Sequence, residues 1–222
     1  MSSAAVESAD QAPKVLTTKT LGYHFSRVVT GTACGLLWRP RYEGVDNLPA
    51  TGRCVILANH QSFIDIPLIS AAGKKRHLCF VARDTLARSK VVAWLLRTTG
   101  AVLIKRGQPD RAALREMVAH LEAEDALVIF PEGTRTHDGR VQAFHGGALL
   151  AARLTKSPII PTGMRGAFEA WPRHSKRPHI TRVAVRFGAP IDPALPDALE
   201  RAHAAIDAMV GAGRFDSVPP VR

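Results

Sequence analysis

Short apolar runs recur along this chain at intervals that leave room for a helix between them, and this alternation limits the fold more than any other feature. Cys54–Ala58, Leu78–Ala82, Ala101–Ile104, Leu127–Phe130, Ile159–Pro161 and Val183–Phe187 are each three to five residues long, the length of buried strands rather than of helices. Helical periodicity appears between them: Leu114, Met117, Val118 and Leu121 follow a plausible N-cap at Asp110, and Leu199, Ala202, Ile206 and Met209 form a second stripe. The pattern implies an α/β fold, a central mixed and largely parallel sheet flanked by helices. In such a fold, functional groups are expected where the chain leaves the strand ends.

The chain has 222 residues, 46% of them hydrophobic and 22% charged, which suits one folded domain and excludes a disordered or fibrous chain. We expect that domain at 41–212, preceded by an amphipathic segment at 14–40, with disordered tails at 1–13 and 213–222. Cys34, Cys54 and Cys79 show no CxxC spacing, so a disulfide scaffold or a cysteine zinc site is not indicated and a reducing compartment is the default. Neither HExxH nor a Cys/His cluster points to a metal, and neither GxGxxG nor a P-loop points to a nucleotide cofactor.

Lys and Arg number 30 against 19 Asp and Glu, a formal charge of +11. Such an excess favours phosphate-bearing partners, whereas an aromatic content of 6% argues against base stacking and hence against nucleic acid. The cations gather in two runs, Lys74-Lys75-Arg76 and Arg173-His174 with Lys176-Arg177; the plain reading of either is a solvated surface. No apolar stretch is long enough to span a bilayer, and the first dozen residues are acidic and polar, unlike a secretory signal. The segment Val28–Trp38, with Lys14, Lys19 and Arg27 before it and Arg39 and Arg41 after it, reads either as an amphipathic helix in the headgroup layer, with cations and Trp38 at its edge, or as a helix docked on the core. The run Val91–Leu96, between Arg88, Lys90 and Arg97, offers a second membrane contact or a buried helix face.

Four segments carry the chemistry. In Asn59-His60-Gln61-Ser62-Phe63-Ile64-Asp65, directly after a strand, a neutral imidazole can take a hydroxyl proton if a carboxylate holds its other nitrogen. On one continuous helix His60 and Asp65 would stand about 140° apart, so pairing requires His60 in the turn and Asp65 in the first helical turn, a boundary that Pro67 supports. The alternative is capping, by Ser62 with Asp65 at N3 spacing or by Asp65 itself. In Phe130-Pro131-Glu132-Gly133-Thr134-Arg135, glycine permits a tight turn or close substrate approach, and Arg135 offers a planar fork to phosphate, with Glu132 orienting it or binding an acceptor hydroxyl. An ordinary loop with a surface ion pair is the competing reading. Gly100–Gly107 brings Lys105 and Arg106 to the end of a strand, as phosphate ligands or as solvated side chains, and Ile159–Gly163 lacks reactive groups and reads as structural.

Together these segments, in this order and spacing, resemble the glycerolipid acyltransferase superfamily that includes the 1-acylglycerol-3-phosphate acyltransferases. NHQSFID is similar to the family's H-x4-D motif, Ile104-Lys105-Arg106 to its second and FPEGTR closely to its third, whereas Ile159–Thr162 matches the fourth only weakly. The resemblance covers roughly residues 41–192. It implies that His60 is the general base and Asp65 its partner, that an acceptor hydroxyl attacks an acyl thioester directly, and that no acyl-enzyme forms. It further assigns Arg106, Glu132 and Arg135, with Lys105 and Thr134, to the glycerophosphate or lysophospholipid acceptor, and makes Gly133 a point of close backbone approach. The expected cosubstrate is acyl-CoA or acyl carrier protein, with no other cofactor, and the expected location is the cytoplasmic face of an anionic membrane surface, held peripherally. Two other readings are glycerol 3-phosphate, another lysophospholipid or a glycolipid as acceptor, and a basic, non-catalytic binding module that would show salt-sensitive binding without turnover.

Overall fold

A computed structural model of the chain describes residues 21–73, 76–84, 96, 100–104 and 110–211. Seven strands form its sheet: β1 (Arg41–Glu43), β2 (Cys54–Ala58), β3 (Leu78–Arg83), β4 (Val102–Ile104), β5 (Ala126–Ile129), β6 (Ile159–Arg165) and β7 (Ala184–Phe187). Their order is β1-β7-β6-β2-β5-β3-β4, and every neighbouring pair is parallel except β6 with β7. The helices are α1 (Leu21–Trp38), α2 (Asp65–Ala72), α3 (Arg111–Glu122), α4 (Gly147–Thr155), the short α5 (Ala167–Ala170) and α6 (Ala198–Gly211). The six strands expected from the sequence are present to within a few residues, and Asp110 caps α3 by accepting the Ala113 N–H at 3.0 Å. β1 and α4 were not signalled: β1 is only three residues long, and α4 mixes alanine and glycine with exposed leucines.

β2 holds the centre of the sheet, with Leu57 opposite Ile129 on one side and Pro161 on the other. All five of its residues are fully buried. Alternation along the strands then divides the core into two layers. Ile56, Ala58, Leu78, Phe80, Val128 and Met164 face α1 and α2. Val55, Leu57, Cys79, Leu127 and Ile159 face α3, α4 and α6. A proline inside β6 is compatible with this arrangement because Pro161 lies just outside the β6–β7 ladder, which begins at Thr162, and its carbonyl accepts the Gly188 N–H at 2.8 Å. Gly163 is structural, as expected: a Cβ there would stand 2.4 Å from the Met209 Cβ, so the glycine lets α6 lie directly on β6.

The apolar N-terminal run is helical, but Trp38 is not an exposed edge residue. It is buried, and its indole N–H donates to the His179 carbonyl at 2.7 Å, which ties the end of α1 to the chain entering β7. Tyr23 anchors the other end, its hydroxyl accepting the Leu78 N–H at 3.2 Å. The outward face of α1 stays apolar, with Phe25, Val28, Val29, Leu36 and Leu37 exposed. Of the run Val91–Leu96 only Leu96 lies within the described residues, where it is buried.

The basic run at 74–76 also needs correction. Lys74 and Lys75 lie outside the described residues, but Arg76 is buried, its guanidinium donating to the carbonyls of Pro49, Gly52 and Glu124. One planar fork thus ties together three loop carbonyls, and its own burial is offset by those contacts. Arg76→Ala is therefore expected to lower the unfolding free energy by about 1–3 kcal/mol; denaturant titration checks this, and an unchanged midpoint would return Arg76 to the surface.

Candidate active site

The parallel strands β2, β3, β4 and β5 and the long strand β6 all deliver their C-terminal ends to one edge of the sheet. At that edge Asn59 extends the β2–β6 ladder by one side-chain rung, its Nδ2 donating to the Met164 carbonyl at 2.9 Å and its Oδ1 accepting the Met164 N–H at 2.7 Å. The turn that follows is organised by one carboxylate oxygen. Asp65 Oδ2 lies 2.8 Å from His60 Nδ1 and accepts the backbone N–H groups of Gln61 at 2.7 Å and Ser62 at 2.8 Å. Asp65 is fully buried and is the first residue of α2, so its side chain folds back across the turn.

The geometry resolves the two readings of this segment. The Ser62 hydroxyl donates to the Trp171 carbonyl at 2.6 Å and accepts the Ile64 N–H at 3.4 Å while Asp65 accepts the Ser62 N–H, so the reciprocal contacts of a capping box are present one turn ahead of α2, whose own cap position, Ile64, has no side-chain hydrogen bond. Pro67 falls at the third helical position, where its missing N–H belongs to the unpaired first turn. Since Oδ2 already accepts two amide hydrogens, Nδ1 is the protonated nitrogen of a neutral His60, which leaves the Nε2 lone pair available as a base.

His60 is gripped from the β5 side. Its backbone N–H donates to Glu132 Oε1 at 3.0 Å, and its carbonyl accepts the Thr136 N–H at 2.8 Å. Its ring stacks on Phe130, centroids 4.2 Å apart and planes 21° from parallel, and is 21% exposed. Gln61 is fixed as well, donating to the Gly139 carbonyl at 2.9 Å and accepting the Phe168 N–H at 3.3 Å.

Glu132 thus engages the histidine backbone and forms no ion pair with Arg135. Burial pushes its carboxyl up to about 7, against the amide hydrogens of His60 and Gln142, which pull it down. Gly133 has φ +66°, a left-handed conformation that accounts for the glycine by backbone geometry; a Cβ there would lie 3.4 Å from the His145 ring. Thr134 is half-buried beside it. The Arg135 guanidinium lies 3.6 Å above the Phe63 ring, and its Nη1 is buried without an acceptor. Burial and the neighbouring charges of Arg173 and Arg83 hold Arg135 below the ordinary arginine pKa, while Asp65 acts in the opposite sense. A cation so placed calls for an anion. Lys105 and Arg106 lie outside the described residues, though β4, which leads to them, ends at the same edge.

Sequence reasoning missed Asn59, Gln61, Thr136, Arg83 and Arg173 as contributors. Asn59 and Gln61 stood inside the NHQSFID segment and Arg173 begins a basic run, but no role was read for them; Arg173 donates to His137 Nε2 at 2.9 Å. Beside His60 opens an apolar cavity of about 540 Å³, bounded by Val81, Ile104, Leu114, Met117, Ile129 and Phe130. Phe130 is both a wall of this cavity and the platform for the histidine ring. The cysteines take no part: burial pushes Cys34 and Cys54 up to about 11 and raises Cys79 as well, which keeps the thiols protonated.

Comparison with known proteins places these features in context. Residues 39–165 match the family model of the acyltransferases. A chloroplastic 1-acyl-sn-glycerol-3-phosphate acyltransferase of Brassica napus is 31% identical over 137 residues, covering 60% of this chain and 39% of that protein. A 1-acyl-sn-glycerol-3-phosphate acyltransferase of Streptococcus pneumoniae is 30% identical over 174 residues, 76% of this chain and 63% of the other. The matched region therefore spans less than two thirds of either relative's length. The crystal structure of the 1-acyl-sn-glycerophosphate (LPA) acyltransferase PlsC from Thermotoga maritima superposes with a TM-score of 0.74 at 25% identity, over 90% of this chain and 82% of that one.

The raised Glu132 carboxyl generates a pH-dependent prediction. Between about pH 4.5 and about pH 7 the native state holds a proton that the unfolded chain has released, so this group's contribution to stability falls as pH rises through that window and is level above it. Glu132→Gln keeps an oxygen for the His60 amide and removes the titration. Its thermal midpoint is expected to gain on wild type steadily across the window; a difference that stays constant with pH would contradict the assignment.

Proposed function

We propose, from the premise that this chain belongs to the glycerolipid acyltransferase family, that it transfers a fatty acyl group from an acyl thioester to the free hydroxyl of 1-acyl-sn-glycerol 3-phosphate. The observation that carries this reading is the His60–Asp65 contact of 2.8 Å, set between an apolar cavity and an arginine without an anion. His60 Nε2 takes the proton of the acceptor hydroxyl as its oxygen attacks the thioester carbonyl. Asp65 stabilises the imidazolium that forms, and the collapsing tetrahedral intermediate expels a thiolate, which takes that proton back. The products are a diacyl phosphate ester and a free thiol, with no acyl-enzyme and no cofactor beyond the thioester.

The remaining groups follow from charge and polarity. Arg135, with Arg173 and Arg83 close by, binds the acceptor phosphate as a charge-assisted fork. The apolar cavity beside Phe130 takes acyl chain. Glu132 and Thr136 act through the backbone of His60, holding the ring where a hydroxyl can reach it. The donor is acyl-CoA or acyl carrier protein. Among the described residues no helix is long and apolar enough to cross a membrane, and the exposed apolar face of α1 supports attachment along a membrane surface.

Thiol release from palmitoyl-CoA, measured with lysophosphatidic acid, with glycerol 3-phosphate and with no acceptor, tests the reading directly. Release dependent on lysophosphatidic acid is expected, and His60→Ala, folded by circular dichroism, should lower it by about 10²–10⁴-fold. Unchanged release in that variant would remove His60 from the chemistry. Arg135→Ala should raise KM for lysophosphatidic acid by about 10–100-fold with a smaller effect on kcat, the loss of one charge-assisted contact; a KM like that of wild type would move the phosphate elsewhere.

A further inference from the structure

Between His60 and Asp65 the turn carries one large apolar side chain on its surface, Phe63, which is 52% exposed. A single exposed ring is common on protein surfaces and carries no argument by itself. What covers its face does. The Arg135 guanidinium carbon lies 3.6 Å from the ring centroid, a cation–π distance, and the ring also meets Trp171, centroids 5.7 Å apart and planes inclined by 54°. Trp171 is itself held at two points: its carbonyl accepts the Ser62 hydroxyl at 2.6 Å, and its indole N–H donates to the Ser175 carbonyl at 3.2 Å.

A guanidinium carries all its N–H groups in its own plane, so a ring on its face takes none of them. Phe63 therefore keeps water from one face of the cation and leaves the edge for an acceptor. That edge includes Nη1, buried without one. Burial is also the largest influence holding Arg135 below the ordinary arginine pKa. The stack has a second consequence, because it ties the loop after β5 to the turn after β2. Glu132 and Thr136 reach His60 at 3.0 and 2.8 Å, and Arg135, between them in sequence, reaches Phe63. Two of these contacts fix the base and the third fixes the cation, so the separation of base and cation is set within one tied unit.

We propose that Phe63 is a positioning residue for the acceptor phosphate: by stacking on Arg135 it fixes the guanidinium plane, so that the edge meets the phosphate while His60 reaches the hydroxyl. This role rests on the acyl-transfer reading above and deepens it, because it makes acceptor affinity depend on a ring that touches neither reacting atom. An aliphatic side chain of similar volume would fill the same space without offering the cation a negative face.

The test compares Phe63→Leu with Phe63→Tyr, which keeps the ring; circular dichroism and the thermal midpoint confirm that both fold. Phe63→Leu should raise KM for lysophosphatidic acid by about three- to thirtyfold, the range of a cation–π contact, with a smaller change in kcat. Phe63→Tyr should stay within about twofold of wild type in both constants. In an Arg135→Ala background, Phe63→Leu should have no further effect on KM, because its partner is already gone. A readout without turnover stands beside these: the Arg135 Nε–H resonance, followed by NMR during titration with glycerol 3-phosphate. It should shift in wild type, and Phe63→Leu should both move its starting position, by loss of the ring current, and weaken the titration.

The proposal is overturned if Phe63→Leu keeps the wild-type KM, if it lowers kcat with KM unchanged, if it costs as much in the Arg135→Ala background, or if Phe63→Tyr loses as much as Phe63→Leu. A protein that shows the Phe63-dependent titration yet transfers no acyl group to any acceptor would refute the acyl-transfer reading and keep the stacked anion site. Transfer that is lost with His60→Ala but untouched by Phe63→Leu would refute the positioning role alone.

Discussion

One carboxylate oxygen organises the candidate site. Asp65 Oδ2 receives the His60 imidazole and two consecutive backbone amides, and each of these fixes a different property. The imidazole contact sets which ring nitrogen carries the proton. The amide contacts set the path of the turn and hold the carboxylate in place, and the stack on Phe130 holds the ring against it. A buried carboxylate is costly unless it is well supplied with donors, and three of them converge here with distances of 2.7–2.8 Å. Helix capping and histidine orientation, which read as competing explanations of this segment, combine in one arrangement: the carboxylate meets the histidine and also accepts the Ser62 N–H, while the Ser62 hydroxyl accepts that of Ile64.

That arrangement depends on the sheet. β2 lies between β6 and β5, and both neighbours hold the chain that leaves it: Asn59 joins Met164 of β6, while Glu132 and Thr136 beyond β5 hold the histidine backbone on both sides. Glu132 therefore contributes through geometry, and its raised carboxyl pKa follows from the burial this role demands. Phe130 has a comparable dual position, as ring platform and cavity wall, and so places the base next to an apolar space.

Charge is distributed along the same edge. Arg135 lies over Phe63 with Arg173 and Arg83 near, and Arg39, Arg41 and Arg182 line a second groove toward α1. The chain from Trp171 to Val183 links the two, bonded to the catalytic turn through Ser62 and to α1 through Trp38. Exposed aliphatic side chains accompany these cations on α1 and at Ile180.

Periodicity and local chemistry were enough to expect six of the seven strands, α3 and α6 and to single out His60, Asp65, Glu132, Gly133 and Arg135 as candidates, because apolar runs, turn residues and reactive groups are encoded within a few positions of one another, whereas the roles expected of those residues came from the family resemblance. Spacing around the turn before Pro67 left the His60–Asp65 contact open beside helix capping, and the tertiary structure shows that contact at 2.8 Å. What only the tertiary structure decided involves partners distant in the chain. The grip of Glu132 on His60 crosses 72 residues, and the Asn59–Met164 rung crosses 105. Arg76 reads as a surface cation in a basic run and is in fact a buried donor to three loop carbonyls, and of the two readings left open at Trp38, the edge of an interfacial helix or a helix docked on the core, burial of the indole selects the second. A side chain's burial and its long-range hydrogen bonds are set by which strands become neighbours, and no local pattern records that order.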